Sequence, residues 1–138
     1  MAEPSPHDDA ALTTHTSVRP ARSAIGFGAD AVLVVLFAVV GNRSHASGLS
    51  AAEVWSTAWP FLMGLALGWL ITVSWRHPSS IWPSGVVVVI VTVASGMVMR
   101  QLFTDGGVQL SFVMVATLTL AVFMLGRRLV TRLLFRRR

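Results

Sequence analysis

The sequence predicts an all-α integral membrane protein, a four-helix bundle with both termini on the cytoplasmic side. Three observations lead there. Of its 138 residues, 54% are hydrophobic and only 12% are charged, against about 25% charged in a soluble domain. The apolar residues fall in four long blocks and not in periodic stripes, and a block of roughly 18 or more is long enough to cross hydrocarbon. The eleven basic residues are all arginine, and most of them gather on one side of these blocks.

Residues 1–23 are polar and carry Pro4, Pro6 and Pro20 with Glu3, Asp8 and Asp9. Such a segment buries too little apolar surface to order itself, so a disordered cytoplasmic tail is expected. The membrane domain is expected over residues 24–126, with spans at about 24–40, 53–75, 84–103 and 109–125. Residues 127–138 form a basic cytoplasmic tail.

The first span holds one carboxylate, Asp30, and Gly41 is expected to end it. Ser50 and Glu53 have the spacing of a capping box, which starts the second span. Pro60 falls inside that span, where a kink is expected. Gly64 and Gly68 lie one turn apart on its face, and Gly96 belongs to a matching small face of the third span; such faces let membrane helices approach closely. Val86 to Val91 also reads as a buried strand, but the apolar run continues through Met99, too long for one. A bilayer also demands that every backbone group be bonded internally. Asp105-Gly106-Gly107 signals the last turn.

Orientation follows from the arginines. Arg19, Arg22, Arg76 and the six from Arg127 onward fall on one side, and Arg43 and Arg100 on the other. The positive-inside rule puts the first group in the cytoplasm. Trp55 and Trp59 mark one interfacial belt, Trp75 and Trp82 the other. The location implied is the inner (cytoplasmic) membrane of a bacterium, crossed several times.

The polar residues fall in two layers. Counting about 1.5 Å of rise per residue from the helix ends, Asp30, Thr92 and Thr119 share an inner level near Gly68. Arg22 and Arg127 fall about 12 Å nearer the cytoplasm on the same count, so no arginine is expected at Asp30's depth. Three readings stay open: a proton or substrate site, a protonated structural acid bonded to a neighbouring hydroxyl or carbonyl, and an interfacial acid. The outer layer contains Arg43, Ser44, His45 and Arg100. It reads as a helix stop with interfacial charges, or as an anion or headgroup site. Arg100 either snorkels or turns in to pair with Asp105 or Glu53.

The motifs Gly41-x-x-Ser44-His45, Trp59-Pro60-Phe61-Leu62, Gly96-Met97-x-x-Arg100 and Phe112-Val113-x-Val115-Ala116, with Asp30, resemble a family of small four-helix prokaryotic membrane proteins. That family is catalogued only as a domain of unknown function. Its usual pattern is Gly-Arg-x-Ser-His; here Asn42 replaces the first arginine and Arg43 remains. The resemblance implies a fold and a location.

There is no cysteine, and His45 stands alone on its face, so no metal and no cofactor are expected. No catalytic set, phosphate loop or nucleotide fingerprint is present. The net charge of +5 sits where membrane topology wants it, so no nucleic-acid partner is expected. The expected function is a non-enzymatic accessory, scaffold or lipid-contacting protein. The alternative is a small proton-coupled transporter or channel subunit that uses Asp30. The bilayer is the first partner, with anionic lipid a candidate along Arg127 to Arg138. A homodimer or a membrane partner protein would suit so small a bundle.

Overall fold

The structure is a computed structural model that describes residues 18–43 and 50–136. Four helices run in order: α1 (Val18–Arg43), α2 (Ala51–Thr72), α3 (Ser84–Phe103) and α4 (Leu110–Arg136). The described residues contain no strand, and all four helices are long and apolar enough to cross a membrane.

The helix ends follow local chemistry. α1 begins before the expected Ala24 because Pro20 sits in its first turn, where a missing N–H costs nothing. It also passes Gly41, where a side chain would meet open space. Asn42 holds that end by donating to the Glu53 carbonyl and to Thr57 Oγ1, both at 3.3 Å. The capping box forms as expected, with Glu53 N–H donating to Ser50 Oγ at 3.2 Å and Ser50 N–H to Glu53 Oε2 at 3.5 Å.

α2 stops short of Trp75. Val73 adopts a left-handed conformation, φ 50° and ψ 41°. Val73 N–H turns back to the Leu70 carbonyl and Ser74 N–H to that of Trp69, a two-bond helix stop usually built on glycine. α3 has the expected bounds. α4 continues past Leu125 to Arg136, so most of the basic tail is helical.

Each helix packs on its chain neighbours, and α4 closes the ring against α1. The closest seam joins α2 and α3. A Cβ on Gly64 would lie 2.7 Å from the Thr92 carbonyl oxygen, and one on Gly68 would lie 3.2 Å from Val88 Cα. One on Gly96 would enter the Phe61 ring, 2.5 Å from its nearest carbon. The three glycines therefore serve contact within one chain. Phe37, Phe61, Leu65, Val88, Leu120 and Met124 fill the centre. The outward faces stay apolar, with Val32, Leu36, Leu70, Ile71, Val98, Leu118 and Val122 all exposed, far more apolar surface than a soluble monomer shows.

Candidate functional site

Asp30 is fully buried on α1 and takes three donors. Arg127 Nε donates to Oδ1 at 2.7 Å. Arg128 Nη2 and Trp69 Nε1 donate to Oδ2 at 3.3 Å and 3.1 Å. The two arginines come from α4 and the indole from α2, so one carboxylate joins three helices. Of the ion pairs among the described residues, both are made by Asp30.

The same arginines hold the loop between α2 and α3. Arg128 Nη1 donates to the Ser80 carbonyl at 2.9 Å, and Arg127 Nη2 to that of Pro78 at 3.4 Å. Arg128 is itself fully buried. It passes over Gly85, where a Cβ would sit 2.8 Å from the Ser80 oxygen and 3.2 Å from Arg128 Cδ. Its guanidinium also lies 5.9 Å from the Trp69 ring centre. Phe27 meets the Trp69 ring edge-on at 5.4 Å. The Arg128 Nε remains without a partner. Ser23 Oγ donates to the Trp75 carbonyl at 2.7 Å, which fastens the start of α1 to the same loop.

This corrects the expectation that no arginine reaches Asp30. Counting rise from helix ends treats side chains as if they stood perpendicular to the axis. They do not: side chains lean toward the N-terminus of their own helix. α1 and α4 run antiparallel, so Asp30 leans toward the arginine-rich end while Arg127 and Arg128 lean away from it. The long arginine side chains close what remains.

Neither of the other expected inner residues is among the hydrogen-bond donors to Asp30. Thr92 is fully buried, but its Oγ1 has no hydrogen-bond partner; its backbone is what Gly64 packs on. Thr119 is half-buried on α4. In the outer layer, Ser44 and His45 lie outside the described residues, and Arg43 is exposed at the end of α1. Arg100 pairs with neither Asp105 nor Glu53. Its Nε donates to the Gly107 carbonyl at 3.2 Å and its Nη2 to that of Gly106 at 3.5 Å. Its guanidinium lies 4.5 Å from the Phe112 ring centre. Arg100 thus fixes the α3–α4 turn.

Trp69 and Arg128 are participants that depth counting passes over, and Trp69 carries a signal in the sequence. Trp69 lies a turn or more inside the belt marked by Trp75 and Trp82. An indole at that depth needs an acceptor for its N–H, and Asp30 is the acid at that level.

A family model described as a protein of unknown function (DUF3054) matches residues 27–131. Comparison with curated proteins and with solved structures returns no match. The matched span takes in Asp30, Trp69, Arg127 and Arg128, and over it the chain belongs to the family of proteins of unknown function DUF3054.

Proposed function

We propose that the chain is a non-enzymatic accessory or scaffold protein of the inner membrane, crossing it four times with both termini in the cytoplasm. The observation that carries this reading is the commitment of Asp30. The lone acid of the inner layer holds two guanidiniums and an indole, and through them it ties α1, α2, α4 and the α2–α3 loop into one body. The orientation is supported by Arg22, Arg76, Arg127, Arg128, Arg132 and Arg136 at one end of the bundle. The partners proposed are the bilayer, anionic lipid at the basic end, and a membrane protein or second copy on the apolar outer faces.

The proton-coupled alternative meets a specific difficulty. A proton reaching Asp30 would displace Arg127 and Arg128 from its oxygens and leave Arg128 buried without a counter-charge, which is costly. Two measurements test the reading. Purified protein reconstituted into vesicles with an internal pH dye is expected to pass no protons beyond empty vesicles. Wild-type flux above that background, lost in an Asp30→Asn variant shown to remain folded, would sink the scaffold reading in favour of transport. Gentle detergent extraction is expected to recover the full chain with one membrane protein or a second copy at fixed stoichiometry, and a partnerless monomer would count against it.

A further inference from the structure

The basic end of the bundle holds a cleft of about 640 Å³. Its polar lining includes Arg22 from α1, Arg76 and His77 from the α2–α3 loop, and Arg127 and Arg132 from α4. Its apolar wall includes Ile25 and Phe135. The volume lies within the range of small-molecule sites, roughly 300–1,000 Å³.

Four guanidiniums around one cleft repel one another unless an anion joins them. Asp30, behind the cleft, is already shared between Arg127 and Arg128. The other carboxylates among the described residues, Glu53 and Asp105, line a separate cleft at the opposite end. Arg76 and Arg132 are both exposed and make no ion pair among the described residues. Arg22 is held in place by the Phe135 ring, 4.8 Å from its centre. Arg127 is fixed from behind by Asp30 and Pro78. Two of the four cations are thus pre-positioned, and two remain available to close on a ligand.

We propose that this cleft binds the phosphate of one anionic phospholipid. Arginine forks match phosphate oxygens with charge-assisted hydrogen bonds. The apolar wall selects the source: Ile25 and Phe135 are largely exposed, and a glycerol backbone with the first acyl carbons covers them where a free phosphate leaves them wet. The cleft also lies where apolar helix gives way to an arginine-rich end, the depth of a headgroup layer. The inference rests on the membrane orientation proposed above and adds to it a discrete site in place of a diffuse basic surface.

The test is native mass spectrometry of the full chain released from mixed micelles of phosphatidylglycerol and phosphatidylcholine. One phosphatidylglycerol is expected to stay bound in preference to phosphatidylcholine. Arg76→Ala and Arg132→Ala, neither of which touches Asp30, are each expected to weaken its retention by about tenfold. Arg136→Ala, on the same end but outside the cleft lining, is expected to leave it unchanged. Equal retention of both lipids overturns the proposal, as does an equal loss in Arg136→Ala, which marks diffuse attraction. Displacement of the lipid by millimolar inorganic phosphate overturns the lipid assignment in favour of a free anion. None of these failures requires proton flux or the loss of a protein partner, so they are distinguishable from failure of the scaffold reading.

Discussion

Asp30 and Arg128 stand near opposite ends of the chain, yet both are fully buried and their side chains meet at 3.3 Å. Each is the other's reason for being tolerated inside an apolar bundle. A buried charge is costly alone, and the cost of removing one partner exceeds what the pair contributes when whole.

That asymmetry can be measured. Asp30→Asn is expected to destabilise the bundle by about 3–5 kcal/mol, because it leaves Arg128 buried without a counter-charge. Asp30→Leu combined with Arg128→Met is expected to recover much of that loss, since it removes both charges at once. Unfolding in mixed detergent micelles reads both variants. Additive losses in the double variant would show that the pair is not coupled.

The α2–α3 seam predicts a contrast between glycines. Gly64→Ala places a methyl 2.7 Å from the Thr92 carbonyl oxygen, and backbone cannot swing aside as a side chain can. A loss of about 1–3 kcal/mol is expected, as for other overpacked sites. Gly28→Ala meets nothing within 4 Å and is expected to be neutral or stabilising by up to about 1 kcal/mol. Thermal melts of the two variants check this, and similar melting points would remove the seam's special status.

Val73 occupies a left-handed conformation, φ 50°, that costs a branched L-residue about 1–2 kcal/mol. Val73→Gly relieves that strain, offset in part by glycine's greater freedom when unfolded. A net gain of about 1 kcal/mol is expected on the same scale, read as a higher melting temperature. A drop would mean that the Val73 side chain contributes more by packing than its backbone costs.

The proposed orientation is open to cysteine labelling, since the natural chain has no cysteine to remove. His77 and Asp105 are both exposed, at opposite ends of the bundle. In intact cells, Asp105→Cys is expected to react with an impermeant maleimide, and His77→Cys only after the membrane is opened. The reverse pattern would invert the topology.

What could be read in the sequence was what depends on short-range pattern. The four spans follow from run length, the Ser50–Glu53 box from spacing, and the Gly64–Gly68 face from helical period. What could not be read depended on directions that one-dimensional counting discards. A count of helical rise places Asp30 and Arg127 too far apart because the opposed lean of side chains on antiparallel helices adds at both ends of the contact. Arg100 faced two carboxylates in the count but found two carbonyls in the turn, Gly106 and Gly107. A glycine at 106 leaves room for a guanidinium where any side chain would collide with it.

The Asp30 cluster also has a chronology. A ribosome releases α1 first and α4 last, so the acid is made well before its two cations exist. From the completion of α2 until α4 reaches Arg127, the only one of its three donors already made is the Trp69 indole. The final helix therefore delivers the counter-charge that lets the first one settle. A chain cut short before Arg127 therefore lacks both guanidiniums that pair with Asp30.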